Sequence, residues 1–134
     1  MIVVDTNIIV HLHITSERTP QVLEILQKDA YWFSPPLWQS EFRNVLSGAM
    51  RKKVIDLGQA GQIMEAALET MAGREIPVSS RRVLELAAAS SCTAYDCEFV
   101  ALAQELGVKL VTSDKQILAC FPETAVGPVE FTRN

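Results

Sequence analysis

Four acidic residues have the types and positions to do chemistry together: Asp5, Glu41, Asp96 and Asp114. Asp5 follows the apolar run Ile2-Val3-Val4, and Asp114 follows Leu110-Val111-Thr112 across one serine. Asp96 opens a strongly apolar helical stretch, and Glu41 lies inside another. In an open parallel sheet, ligands bind outside the carboxyl ends of the strands, so acids from distant segments can converge there. Converging carboxylates repel: one pair about 4 Å apart costs roughly 4 kcal/mol at an effective dielectric of 20. Such a cluster needs a divalent cation, shared protons, or both. The chemistry this favours is magnesium- or manganese-dependent attack on phosphodiesters.

Each acid also has a structural explanation. Asp5 and Asp114 stand where a strand gives way to a helix, a favoured place for an aspartate N-cap. Thr93-Ala94-Tyr95-Asp96 has the form of a capping box before an apolar run. Glu41 falls at the edge of the stripe Trp38, Phe42, Val45, Leu46 and Ala49, where a boundary glutamate can keep its head in water. What the structural readings leave unexplained is that all four are expected at one rim. Asn7 and Thr112 are expected to orient the carboxylates or bound water, with Thr6 a further polar neighbour, although turn and cap roles suit these types too.

The elements that must position these groups alternate short apolar runs with helical periods, which indicates an α/β fold. The expectation is one domain over residues 1–134, a three-layer α/β/α sandwich on a mainly parallel sheet of four or five strands. Strands are expected at Ile2–Val4, Tyr31–Phe33, Glu75–Val78, Lys109–Thr112 and, at the edge, Val129–Thr132. Thr19 before Pro20 reads as an N-cap, and Asp56-Leu57-Gly58-Gln59 as a capping box. From there Leu57, Ala60, Met64, Leu68 and Met71 form a helical stripe. Thr93 opens the helix that Gly107 closes.

Sixteen acidic residues against twelve basic give a net charge of −4, which is not the global footprint of a nucleic-acid binder. Polynucleotide contact must then come from local cations and a bound metal. Arg43, Arg81, Arg82 and Lys115 are the candidates, whereas Arg51-Lys52-Lys53 suit the end of a helix. His11 and His13, two residues apart, point in different directions on a helix and read as boundary residues. The opening segment lacks a basic n-region, and no run of 18 apolar residues appears, so neither secretion nor a membrane span is expected. Three cysteines without a CxxC pair read as reduced thiols in a cytoplasmic protein.

In order along the chain, Ile2-Val3-Val4-Asp5-Thr6-Asn7, Ser40-Glu41, Ala94-Tyr95-Asp96 with the following Phe99-Val100-Ala101-Leu102-Ala103, and Leu110-Val111-Thr112-Ser113-Asp114 resemble the motifs of PIN-domain ribonucleases. The likeness is to the VapC-like toxins of type II toxin–antitoxin pairs. It implies an acidic quartet of Asp5, Glu41, Asp96 and Asp114, with Asp5, Asp96 and Asp114 on Mg²⁺ or Mn²⁺ and Asn7 and Thr112 in support. It also implies cleavage of RNA, a cognate antitoxin and a homodimer. Cys97-Glu98 departs from the pattern, and Glu98 is either a fifth acid or a surface residue. Among the alternatives, a haloacid-dehalogenase-like phosphatase needs a second aspartate where Asn7 stands. A receiver-like domain needs an acidic pair beside the first strand and a lysine after the last. A non-catalytic PIN-like binding module would keep the fold without the chemistry.

Overall fold

Ile2, Val3 and Val4 are all buried. Successive strand side chains point to opposite faces, so this strand is covered on both sides, as parallel sheets require. The computed structural model, which describes residues 1–133, shows β1 (Ile2–Val4), β2 (Trp32–Phe33), β3 (Leu110–Val111) and β4 (Ala125–Val126) in one sheet. All pairings are parallel, in the order β2-β1-β3-β4. Val3 pairs with Phe33 on one side and Leu110 on the other. From β1 the chain therefore goes first to one neighbour and later to the other. The gap between the carboxyl ends of β1 and β3 is the switch point, where such sheets bind ligands.

Eight helices flank the sheet among the described residues: α1 (Thr6–His13), α2 (Thr19–Lys28), α3 (Leu37–Arg51), α4 (Leu57–Thr70), α5 (Ser80–Ala88), α6 (Ala94–Leu106), α7 (Lys115–Cys120) and α8 (Pro128–Arg133). The layers make the α/β/α sandwich expected. Helix α6 packs on β1 and β3 and is backed by α5, while α1 packs with α2, α3 and α4. Six residues of α6, Cys97 and Phe99 to Ala103, are buried, which fits a helix covered by sheet and helix alike. Thr93 caps it, and Gly107 ends it at φ 67°, a left-handed backbone that favours glycine. The Asp56–Gln59 capping box forms with both hydrogen bonds.

Several expected elements differ. Val129–Thr132 is not an edge strand but part of α8, and β4 at Ala125–Val126 takes the edge. Pro128 has no N–H for a ladder and its fixed φ suits a first helical turn. The Phe131 N–H closes that turn on Gly127 at 2.9 Å. Glu75–Val78 contributes only an isolated bridge from Glu75 to Ser34. Thr19 is the first helical residue rather than the cap; its hydroxyl instead donates to the His11 carbonyl at 2.7 Å. Val45 and Leu57, placed on apolar helical stripes, are 41% and 77% exposed. The face of α4 that packs inward carries Ala60 and Ala67, ending on buried Met71.

Candidate active site at the carboxyl rim

Asp5 continues the β1 ladder, its N–H bonding the Val111 carbonyl at 3.0 Å, and then caps α1. One carboxylate oxygen takes the Thr6 N–H at 2.8 Å. The other takes the Thr112 hydroxyl at 2.6 Å and the Asn7 amide at 3.3 Å. The Thr112 oxygen in turn accepts the Asp114 N–H at 3.0 Å, so one buried hydroxyl couples the two strand ends. Asn7 completes the tie by accepting the Ser113 N–H at 3.4 Å. Asp114 caps α7 through Oδ1, which receives the Gln116 and Ile117 N–H groups at 2.9 and 3.0 Å. Both aspartates are thus caps and cleft residues at once, because a carboxylate has more acceptor capacity than a cap consumes.

Glu41 reaches the same place from α3, which buried Trp38 and Phe42 anchor one turn and one residue away. The Thr6 hydroxyl donates to Glu41 Oε1 at 2.6 Å. Asp96 arrives from the first turn of α6. All four acids line one cleft of about 600 Å³, together with Asn7, His11, Ser40, Asn44 and Tyr95.

The electrostatics record the crowding. Burial pushes Asp5, only 8% exposed, up to about 6, and the charges of Glu41 and Asp96 add to it; the Thr112 hydroxyl and Thr6 N–H pull the other way. Burial raises Glu41 too, with Asp96 adding and the Thr6 hydroxyl opposing. Asp96 is raised by burial and then by Asp114, against hydrogen bonds from Thr93. Among the described residues no lysine or arginine forms a salt bridge with any of the four. Nor are three His, Cys, Asp or Glu side chains drawn together there as ligands to one ion. In kind, the donor set fits a hard divalent cation: carboxylate oxygens, backed by amide and hydroxyl, in a cleft whose own cations stay outside.

Glu98 is raised by burial and by Glu41. It lines the adjoining hollow with Pro36 and Pro77 rather than the acid cleft. Of the basic candidates, Arg43 is exposed and donates to Ser40 Oγ at 3.2 Å, next to the cleft wall, and Lys115 is exposed beside Asp114. Arg81 and Arg82 lie on α5 against Glu85 at 3.5 and 3.6 Å, and neither lines the cleft. Residues not anticipated there are His11, Ser40, Asn44 and Tyr95. Helical spacing carried part of the signal: His11 is four residues from Asn7 on α1, and Asn44 three from Glu41 on α3. The three cysteines are free, and burial pushes the Cys92 thiol up to about 12, so it is inert at neutral pH.

The family model described as "PIN domain" matches residues 2–123. The chain belongs to the PIN-domain family. As a PIN domain it is neither a haloacid-dehalogenase-like phosphatase nor a receiver. It is 29% identical over 125 residues to Ribonuclease VapC3 of Pyrobaculum aerophilum, spanning 90% of this chain and 95% of that protein. Its fold is similar to the crystal structure of PAE2754 from Pyrobaculum aerophilum, with a TM-score of 0.78 at 20% identity over 98% of this chain and 93% of that one. It is likewise similar to FitAcB from Neisseria gonorrhoeae, with a TM-score of 0.76 at 16% identity over 96% and 99% of the two chains. No helix among the described residues is long and apolar enough to cross a membrane.

Proposed function

We propose that this chain is one PIN-type nuclease domain that hydrolyses RNA internally in the presence of Mg²⁺ or Mn²⁺. We read it as the toxin of a toxin–antitoxin pair, acting in the cytoplasm as a homodimer held in check by its antitoxin. The observation that carries the nuclease reading is the meeting of four carboxylates from four separate elements in one cleft at the β1/β3 switch point. The relative named Ribonuclease VapC3 supports the nuclease activity.

Asp5 and Asp96 are the firmest metal ligands in this reading, with Asp114 completing the set. Bound there, a divalent cation lowers the pKa of water and neutralises charge building on the phosphoryl oxygens. Glu41, fixed by Thr6, orients the attacking water or adds a ligand. Thr112 and Asn7 hold Asp5 in the rotamer that faces the cleft. Burial raises the protonation threshold of Asp5, so a cation competes with a proton there and binds more tightly as pH rises through about 6. Arg43 and Lys115, outside the acids, meet the flanking phosphates, and Arg81 and Arg82 would serve a more distant part of the strand. Attack by water rather than by the ribose 2′-hydroxyl leaves 5′-phosphate and 3′-hydroxyl ends.

Purified protein is incubated with structured RNA and Mn²⁺, with EDTA, and as Asp5→Asn. Cleavage that needs metal, is lost in the variant and leaves 5′-phosphates supports the reading. Cyclic 2′,3′-phosphate ends, or cleavage that survives both EDTA and Asp5→Asn, would contradict it. Binding of RNA with no cleavage under any divalent cation would favour a non-catalytic PIN-like module.

A further inference from the structure

The cleft does not end at the acids. A second hollow of about 310 Å³, at the lower end of ligand-pocket sizes, shares His11 with the first and is lined by one acid and one base, Glu17 and Arg18, with Gln21, Ser113, Pro128 and Val129. His11 lines both hollows, and Ser113 stands next to Asp114. The two hollows therefore meet at His11, on the side of α1 that leads to the start of α2. His11 lies five residues beyond Thr6, about 7–8 Å along the helix axis.

The imidazole at the joint is held. Its Nδ1 is 2.8 Å from Ser16 Oγ, and the backbone carbonyl accepts the Thr19 hydroxyl at 2.7 Å. Nε2 is the ring nitrogen left for a ligand. Burial, and then the nearby charge of Arg18, hold the imidazole pKa below its usual value, so the ring is neutral at pH 7. Arg18 is exposed and, among the described residues, forms no salt bridge. Val129 presents an apolar side chain that is 47% exposed.

We propose that this second hollow is a nucleotide subsite for single-stranded RNA, an inference that rests on the nuclease reading above. A polyanion cannot run past four carboxylates without cations beside them, and Arg18 supplies one in the adjoining hollow. Its guanidinium takes the phosphate next to the scissile one, in the forked geometry suited to phosphate. The base of that nucleotide lies over Pro128 and Val129 with its polar edge at His11 Nε2. Base contact with apolar faces tolerates any sequence, so this subsite adds affinity and direction rather than strict sequence choice.

The test uses a fluorescein-labelled 12-nucleotide single-stranded RNA of mixed sequence. Its binding to Asp5→Asn protein is followed by anisotropy across a salt series, and its cleavage by otherwise wild-type protein is followed with Mn²⁺. Adding Arg18→Ala should weaken binding about five- to tenfold and reduce the slope of log affinity against log salt by about 0.7, the value for one phosphate contact on a single strand. Arg18→Lys should retain that slope, and His11→Ala should weaken binding with the slope unchanged. Lys109→Ala, at the opposite end of β3, should match the parent. If Arg18→Ala binds with unchanged affinity and slope, the subsite is wrong; if Asp5→Asn has meanwhile abolished cleavage, the nuclease reading stands alone. If the parent binds no RNA, the subsite also falls. If RNA is bound but never cut by wild-type protein, the nuclease reading fails while the salt slope still judges the subsite.

Discussion

Replacing Asp5 by asparagine should stabilise the protein in metal-free buffer while destroying its function. An ordinary aspartate titrates at 3.8 and Asp5 at about 6. That difference corresponds to about 3 kcal/mol. Below pH 3.8 both folded and unfolded chains carry the proton and nothing is at stake. Between 3.8 and about 6 the folded chain holds a proton that the unfolded chain has released, so stability falls as pH rises. Above about 6 the full cost of the buried charge is present. A neutral asparagine side chain would avoid that cost, but its amide would face the Thr112 hydroxyl at 2.6 Å and the Asn7 amide at 3.3 Å, where Asp5 now accepts. Mismatched donors there forfeit about 1–2 kcal/mol. The net expectation for Asp5→Asn at pH 8 is a gain of about 1–2 kcal/mol, a melting point roughly 3–8 °C above wild type. Thermal melts in EDTA from pH 4 to 8 check it: wild type should lose stability across that range more steeply than the variant. Adding Mn²⁺ at about a hundred times its dissociation constant should then raise wild type by roughly 2.7 kcal/mol and leave the variant unmoved. A variant that melts below wild type at pH 8 without metal, or a wild type indifferent to pH, would refute the reasoning.

Thr112→Val removes the donor to Asp5 and the acceptor of the Asp114 N–H, and should cost about 2 kcal/mol by urea denaturation; the acid limb of the cleavage–pH profile should move to higher pH. Glu41→Gln keeps an acceptor for the Thr6 hydroxyl, so stability should change by less than about 0.5 kcal/mol, while kcat on RNA falls about a hundredfold or more with KM little altered. Gly107→Ala meets no atom within 4 Å, so only the positive φ is strained; a loss of about 1 kcal/mol without any change in cleavage is expected.

Much of the site was legible because it sits on local signals. An apolar triplet followed by an acid marks a strand end, and the motifs around Asp56, Thr93 and Gly107 specify helix ends within four residues. The structure adds what no local pattern carries. The Thr6–Glu41 bond joins residues 35 apart, and the Thr112–Asp5 bond joins residues 107 apart. Where the reading failed, the segment was short or its face ambiguous. Val129–Thr132 alternates apolar and polar like a strand, yet Gly127-Pro128 starts a helix there. Val45 and Leu57 sit at helical spacing with buried neighbours, but spacing gives the periodicity of a face and not its width. His11 was legible as a histidine on a helix, and only the tertiary packing places it on the wall of the acid cleft.

Soaking crystals of the protein with Mn²⁺ and collecting anomalous diffraction tests the central claim most directly. The expected result is a peak within the cleft, about 2.0–2.3 Å from carboxylate oxygens of both Asp5 and Asp96, and absent from crystals of Asp5→Asn. A fully diffracting crystal whose cleft stays empty at saturating Mn²⁺, or whose ions bind only elsewhere, would contradict it.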